Sequence, residues 1–303
     1  MRRALASAAA ALLLAGCGGS STVGSQEPEP ARETLTVATG GKGGIYAVYG
    51  ATLAKEITRR LDGYRGRAVE TTGSVQNLLR LRDDTAQIAL TLGDTALDAV
   101  EGREAFDRPV RLRALAQIYP SYAQLVTTPG AGIRTLADLQ GKRVSVGSPH
   151  SGTEVVAERM LDVAGVDPRR ARLGVAESAA ALEAGRLDAF FWSGGVPTDA
   201  ITELSERKPL TLIDLSRWAS EMRTRWGGVY ERAAIPAGTY GLAAPVQTVT
   251  IPNYVVVDEH MDTGLAYDLT KLLTVTDRDR AQDVIAPVGL HPGAQDYYER
   301  GGP

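Results

Sequence analysis

The chain has 303 residues, of which 44% are hydrophobic and 23% are charged, and its formal net charge is −3. This composition is typical of a globular protein, and the length suggests two domains that each bury a core. The small net charge argues against nucleic acid as the main partner, and three His with one Cys nearly exclude a metal centre built from those ligands.

The N-terminus has the layout of a secretory signal peptide over residues 1–16. Two arginines precede an apolar stretch of small residues at 4–15, which is too short to span a membrane as a stable helix. The stretch ends in Leu-Ala-Gly before Cys17, which resembles the lipobox of bacterial lipoproteins, in which the Cys is lipidated and becomes the mature N-terminus. An ordinary signal with an accidental Cys is the alternative. Residues 17–33 are rich in Gly, Ser, Pro and Glu and predict a solvated tether, so we expect the body to be anchored outside the cytoplasm.

Short apolar stretches alternate with helical patterns over residues 34–100, and the same order of elements returns over residues 143–204. In the first helix, apolar residues from Ile45 to Leu61 recur at spacings of three and four, as on one buried face. The predicted strands are residues 35–38, 68–70, 88–90, 143–146, 172–176 and 188–192. The predicted helices are residues 45–61, 75–81, 95–100, 154–161, 179–183 and one that follows residue 198. Such alternation favours a mostly parallel α/β sheet.

The repeated order predicts an α/β fold of two lobes, each a mostly parallel sheet flanked by helices, joined by a β-strand hinge. The β-rich stretches beside prolines at residues 122–127 and 248–257 are the simplest joints. Lobe I is then expected over residues 34–124 and lobe II over 125–247. Residues 248–303 return through the hinge and complete lobe I.

Four junctions between a predicted strand and a helix are rich in Gly, Ser and Thr: 39–45, 71–77, 147–153 and 193–198. Ligands of open parallel sheets lie at the carboxyl ends of the strands, where helix N-termini offer unpaired N–H groups to an anion. Each loop has another interpretation, since Ser74 is a plausible N-cap and Ser151 has capping-box spacing to Glu154. Two such loops from each lobe nevertheless predict one shared anion site in the cleft.

The nature of the anion follows from Lys42 and its neighbours. A phosphate-binding P-loop needs Lys followed by Ser or Thr, whereas Lys42 is followed by Gly43. Uncharged donors and one Lys suit a carboxylate better than a nucleotide, although Lys42 is equally compatible with a surface position. We expect no cofactor.

A reactive group is not evident in the sequence. His150 lies beside Ser148 and Ser151, the one place where a nucleophile and a base are close in sequence, whereas His260 and His291 show no partner pattern. A secreted hydrolase that uses His150 with one of these serines is therefore an alternative to a binding protein.

Five segments resemble, in order, the solute receptors of TRAP transporters of the TAXI family: TGGKGGIYAVYGATLA, TTGSVQNLLRL, LADLQGKRVSVGSPHSGTE, ALEAGRLDAFFWSGGVPT and HPGAQDYYERGG. The resemblance runs from about residue 34 to the C-terminus. It implies a periplasmic-binding-protein fold that closes over a small carboxylate, often glutamate or a related acid, and delivers it to an ion-driven membrane permease. We expect the receptor to act as a monomer. A ligand sensor for a membrane kinase is an alternative that the sequence does not separate from transport.

The resemblance also implies a set of ligand contacts. Matched position by position, they are Gly43, Gly44, Tyr46, Ser74, Asn77, Ser151, Gly152, Thr153, Gly195 and Pro197. Lys42 and His150 stand where the family usually has small residues. Both are included as candidate site residues, because their charge favours an unusual, more acidic ligand over plain glutamate.

Overall fold

A computed structural model of the chain describes residues 32–276 and 288–302. The predicted signal peptide, the lipidation site at Cys17 and nearly all of the tether lie outside the described residues. None of the described helices is both long and apolar enough to cross a bilayer.

Within residues 32–276 and 288–302, the chain forms ten strands and nine α-helices. The strands are β1 Glu33–Ala38, β2 Tyr64–Val69, β3 Ile88–Leu92, β4 Leu112–Thr127, β5 Arg143–Ser145, β6 Arg169–Ala171, β7 Ala189–Gly194, β8 Thr211–Leu212, β9 Glu231–Ile235 and β10 Val246–Asp258. The helices are α1 Ile45–Arg60, α2 Ser74–Arg82, α3 Gly93–Glu101, α4 Gly152–Ala164, α5 Val175–Glu183, α6 Asp199–Arg207, α7 Ala219–Trp226, α8 Thr263–Thr276 and α9 Pro292–Glu299.

The strands form a mixed sheet in the order β2-β1-β3-β10-β4-β7-β5-β6, with β8 beside β4 and β9 beside β10. At one end, β1 pairs in parallel with β2 and β3, and at the other end β5 pairs in parallel with β6 and β7. Between them, β4 and β10 run antiparallel to each other and to β7 and β3. We call the β1–β3 half, with α1–α3, α8 and α9, lobe I, and the β5–β7 half, with α4–α7, lobe II.

Each half of the sheet is covered by apolar side chains on both faces. In lobe I, one face packs Leu35, Leu53 and Ile57 together with residues of α8 and α9, and the opposite face packs residues of α2 and α3. In lobe II, the neighbours Phe190 and Phe191 belong to different clusters, because successive residues of a strand point to opposite faces. Burial on both faces explains why these strands are almost continuously apolar in sequence.

The two longest strands pass from one lobe to the other. The first part of β4 pairs with the part of β10 that also binds β3, whereas Tyr122–Thr127 pairs with β7. Pro120 of β4 lies opposite Pro252 of β10, and the register shifts between Pro252 and Tyr254. Proline has no N–H to donate, so the ladder between the strands is weakened at this crossing. Both predicted joints, 122–127 and 248–257, lie within these two strands.

Most predicted elements are confirmed to within a few residues, but the strand predicted at 172–176 is wrong. The strand lies earlier, at Arg169–Ala171, and α5 already begins at Val175. The Glu177 carboxylate accepts a hydrogen bond from the N–H of Gly174 (3.2 Å), which starts the helix at this point. Similarly, β2 begins at Tyr64 rather than at residue 68. Its side chains are largely exposed, so the first residues of the strand give little apolar signal in the sequence.

Candidate functional site

A cavity of about 480 Å³ lies between the two lobes, at the carboxyl ends of their parallel strands. It is lined by residues 40–42, 44–46, 70–74, 92, 119, 121, 147–148, 151–153, 173–177 and 192–194. Of the residues predicted for the site, this lining includes Lys42, Gly44, Tyr46, Ser74, Ser151, Gly152 and Thr153. The other predicted residues, Gly43, Asn77, His150, Gly195 and Pro197, are not part of the lining.

One side of the cavity is formed where the N-termini of α2 and α4 meet across the cleft. The N–H of Gln76 donates to the carbonyl of His150 (3.1 Å), which joins the two lobes directly. A Cβ added at Gly152 would lie 2.6 Å from Ser74 Oγ, so the helix starts touch. The first N–H groups of a helix have no intrahelical acceptor, and two helix dipoles with their positive ends here favour an anion.

Three hydroxyl groups, those of Ser151, Thr153 and Ser193, lie on this side of the cavity. Ser151 Oγ accepts the N–H of Glu154 (3.0 Å), and Thr153 Oγ1 accepts the N–H of Ser193 (3.1 Å). The capping interpretation of Ser151 is thus confirmed, yet each hydroxyl keeps its proton to give. Ser193 is only 9% exposed, and its Oγ has no hydrogen-bond partner among the described atoms. A buried unpartnered hydroxyl in a cavity wall is a natural ligand contact.

Ser74 has a different role from the predicted cap. The N-cap of α2 is Gly73, and Ser74 Oγ accepts the N–H of Leu92 (3.1 Å), which ties the start of α2 to the end of β3. Its position in the lining therefore depends on a hydrogen bond within lobe I.

Aromatic side chains also line the cavity. The Tyr46 hydroxyl donates to Asn253 Oδ1, and burial raises the pKa of Tyr46 well above its ordinary value, so the phenol stays protonated. Asn253 in turn donates to the carbonyl of Tyr119 (2.8 Å) and to Ser121 Oγ (2.8 Å), both on β4. Tyr46 is thereby fixed to the crossing strands.

Trp192 lines the cavity from lobe II. Its Nε1 donates to Thr198 Oγ1 (2.9 Å), and its ring edge lies 3.1 Å from where a Cβ of Gly44 would be. The indole therefore reaches lobe I where glycine leaves room for it.

Gly43 and Gly195 contribute to contacts between the lobes outside the lining. A Cβ at Gly43, where φ is +79°, would lie 3.1 Å from Ala200 Cβ of lobe II. A Cβ at Gly195 would lie 2.4 Å from Ile45 Cδ1 of lobe I. Both positions need glycine because the other lobe approaches so closely. Pro197 is exposed, one residue before the N-cap of α6.

Asn77 is fully buried, and its side-chain amide forms all of its hydrogen bonds within lobe I. Its Nδ2 donates to the carbonyls of Thr39 (2.6 Å) and Leu90 (2.8 Å), and its Oδ1 accepts from Thr71 (2.6 Å). It therefore holds the ends of β1 and β3 to the loop before α2 rather than facing a ligand.

The charged side chains of the lining lie at its exposed rim. Lys42, Glu70 and Glu177 are all exposed, and Glu177 already accepts the N–H of Gly174. His150 is exposed with a positive φ of 61°, and its N–H donates to Glu154 (2.7 Å).

A second contact between the lobes is a buried ion network away from the cavity. Arg159 of α4 donates to Asp98 of α3 (2.5 Å) and to the Tyr230 hydroxyl (2.8 Å), and that hydroxyl donates to Asp94 (2.7 Å). Asp94, Asp98 and Arg159 have side chains that are 0%, 2% and 5% exposed. Burial raises the pKa of Asp98 to about 6, in spite of the opposing effect of Arg159. We call these four residues the interlobe network.

Several lining residues have no counterpart among the predicted contacts. The N-terminus of α5, at Val175 and Ala176, lines the cavity instead of the N-terminus of α6. The spacing from Gly174 to Glu177 is the sequence signal for this helix start. Tyr119 lies inside β4, where the sequence pattern marks burial but not a cavity wall, whereas Ser193 belongs to the predicted junction 193–198 without being one of the matched contacts.

The comparisons with solved structures give the same two-lobed fold. The chain is similar to a Streptococcus mutans protein from a study of glutathione import through GshT and the cystine ABC importer TcyBC (14% identity, 82% of this chain and 90% of that chain, TM-score 0.53). It is also similar to an ancestral arginine-binding protein bound to arginine (14% identity, 89% and 98%, TM-score 0.50). A third is the alkanesulfonate-binding protein SsuA from Xanthomonas axonopodis pv. citri bound to MOPS (17% identity, 84% and 76%, TM-score 0.50).

At these identities the similarity concerns the fold, and it confirms the α/β periplasmic-binding-protein-like fold with helices on a mixed sheet. The model of the NMT1-like family matches residues 37–302, which is nearly all of the described chain. The chain therefore belongs to the NMT1-like family.

Proposed function

We propose that this protein is an extracytoplasmic solute-binding protein that captures a small carboxylate by hinge closure. The observation that carries the proposal is the cavity between the lobes, where the N-termini of α2 and α4 meet with the donor hydroxyls of Ser151 and Thr153. Such a site holds an anion through hydrogen bonds and dipoles and leaves it chemically unchanged.

The proposed mechanism uses the crossing strands as the hinge. Ligand meets one lobe first, and the second lobe closes over it by rotation near Pro120 and Pro252. Closure is favoured only by contacts that exist in the closed form, so the groups of lobe II at residues 148–153 and 192–194 control closing. The proposed boundaries remain lobe I over residues 34–124 and 248–303 and lobe II over 125–247.

Delivery to a membrane permease is the second part of the proposal. The resemblance to TAXI receptors favours a TRAP-type, ion-driven permease, with the receptor held at the membrane as a monomer by lipid on Cys17. The similar Streptococcus mutans protein comes from a study of the cystine ABC importer TcyBC, so ATP-driven delivery is a second candidate. Uptake by membrane vesicles that contain the permease, driven by an ion gradient or by ATP, distinguishes the two.

Two other activities have less support. A sensor for a membrane kinase would use the same cavity and the same closure. A hydrolase would need His150 to activate Ser148 or Ser151, but His150 lies outside the cavity lining and Ser151 Oγ caps α4.

A thermal-shift panel on the purified protein tests the proposal. Carboxylates would include glutamate, other amino acids, dicarboxylates and oxo acids, with sugars and polyamines as controls. At a hundredfold excess over its Kd, a ligand stabilises a protein by about 2.7 kcal/mol, which corresponds to a shift of several degrees. A response only to sugars or polyamines would mean that the cavity is not an anion site.

A further inference from the structure

The cavity is larger than a short amino acid or dicarboxylate requires. Its volume is about 480 Å³ in a form where the lobes are already in contact at Gln76 and His150. Cavities of about 300–1,000 Å³ commonly hold drug-sized ligands, which are larger than glutamate.

The rings of Tyr46 and Trp192 offer carbon surface to the cavity rather than hydrogen bonds. The polar atom of Tyr46 is used by Asn253, and that of Trp192 is used by Thr198. Both rings line the cavity together with Tyr119. Aliphatic side chains of Ile45 and Val175 extend the same lining.

The cavity wall combines hydrogen-bond donors with ring carbon. Across the cleft, Gly73 lies against Ser151 and Gly152 lies against Ser74. Gly44 lies against Trp192, and Gly43 lies against Val175 and Ala176. A ligand in this cavity therefore meets donor groups at the helix starts and the rings of Tyr46 and Trp192.

We propose, building on the function above, that the ligand is a monocarboxylic acid with a bulky apolar or aromatic body. Its carboxylate lies at the starts of α2 and α4 beside Thr153 and Ser193, and its body packs against Tyr46 and Trp192. Glutamate and succinate lack such a body and leave the ring carbons of Tyr46 and Trp192 uncovered, so they gain less from apolar burial and bind more weakly.

Titration calorimetry of the full chain with a homologous series of straight-chain monocarboxylates tests this proposal. Affinity is expected to rise by about fourfold for each added methylene until the cavity is filled, since each buried CH₂ contributes a nearly constant increment. Phenylacetate and indole-3-acetate are expected to bind at least tenfold more tightly than glutamate, succinate and 2-oxoglutarate. A constant affinity along the series, or tightest binding by a dicarboxylate or glutamate, would overturn the proposal while leaving a carboxylate receptor intact. Failure of every acid to bind would overturn the proposed function as well.

The variant Trp192→Ala reports on the aromatic wall separately from the anion end. We expect it to weaken indole-3-acetate by at least tenfold and butanoate by less than threefold. Trp218, which is partly buried in lobe II and outside the lining, provides the matched control Trp218→Ala. Equal losses for both acids in Trp192→Ala would contradict the packing role. Circular dichroism of both variants verifies that they are folded.

Discussion

Asp98 of α3 and Arg159 of α4 form a hydrogen bond of 2.5 Å between the two lobes, and their side chains are only 2% and 5% exposed. This pair lies outside the cavity lining, so part of the free energy that holds the lobes together comes from the protein itself. Opening the cleft would return both charges to water. The interlobe network therefore sets how much of the closing free energy a ligand has to supply.

Arg159→Met is expected to weaken ligand binding by at least tenfold, because in the closed form it leaves Asp94 without its cation and Asp98 with only the more exposed Arg103. Removing one partner of a buried ion pair costs up to about 3–5 kcal/mol, and the open form avoids that cost. Small-angle scattering should show a more open molecule. Arg170→Met, which breaks a partly exposed pair with Glu158, is the control. The triple variant Arg159→Met, Asp94→Asn, Asp98→Asn removes the unpaired charges and should restore part of the affinity. Unchanged affinity and unchanged scattering in Arg159→Met would contradict this role.

Stability should depend on pH through Asp98, whose pKa burial raises from 3.8 to about 6. The charged groups around it are Arg159, Asp94 and Arg103. Because the folded protein binds this proton more tightly than the unfolded chain, the contribution of Asp98 is more favourable at pH 5 and is lost as pH rises through 6. Chemical unfolding at pH 5 and pH 7 measures the free energy of unfolding of the wild type and of Asp98→Asn. Between pH 5 and pH 7, the wild type should lose about 1 kcal/mol more than the variant does. A parallel response of the two proteins would show that the carboxyl is not desolvated.

The fold followed from the sequence because its signals are local. Alternation of buried strands and helices repeats along the chain, and each half of the sheet needs apolar residues on both faces. The two joints at 122–127 and 248–257 were visible as β-rich stretches beside prolines. The opposition of Pro120 and Pro252 was not visible, since the register of β4 against β10 depends on two segments that are distant in sequence.

The candidate site was predicted less completely, for two physical reasons. Asn77 has the chemistry of a ligand contact, but a buried amide must satisfy its own hydrogen bonds, and the neighbouring carbonyls do so. Trp192 and Arg159 were missed because their roles arise from the opposite lobe. Arg159 is 61 positions from Asp98, and no local pattern connects them.

Thr153→Ala is expected to weaken carboxylate binding by about 1–2 kcal/mol, the size of a lost hydrogen bond to a charged group. The N–H of Ser193, which donates to Thr153 Oγ1, would also lose its acceptor, so a lower melting temperature without ligand should accompany the weaker binding. Thr153→Ser keeps the hydroxyl and should retain most of the affinity, whereas Thr153→Val should behave like Ala. Calorimetry on the three variants measures the difference. Wild-type affinity in Thr153→Ala would exclude Thr153 as a contact of the ligand carboxylate.

Ser193→Ala should separate binding from stability. The Oγ of Ser193 has no hydrogen-bond partner among the described atoms, so its removal costs the folded protein nothing and relieves a buried polar group. We expect an unchanged or slightly higher melting temperature without ligand and binding that is about tenfold weaker. Ser178→Ala is a useful contrast, because Ser178 Oγ donates to Ser145 Oγ (2.9 Å) and its loss should lower stability. Full binding by Ser193→Ala would exclude this hydroxyl as a ligand contact.

Gly152→Ala should block closure while leaving each lobe folded. A Cβ at this position would lie 2.5 Å from Leu92 Cδ1 and 2.6 Å from Ser74 Oγ, both on the opposite lobe. Helix α4 itself tolerates alanine well, so the melting temperature of the ligand-free protein should change little. Ligand affinity should fall by at least tenfold, since the contacts that distinguish the closed form cannot be made. Gly130→Ala, where a Cβ meets nothing within 4 Å, is the matched control and should bind normally. If Gly152→Ala binds as tightly as this control, the lobes do not need to meet at the starts of α2 and α4, and hinge closure over the ligand is wrong.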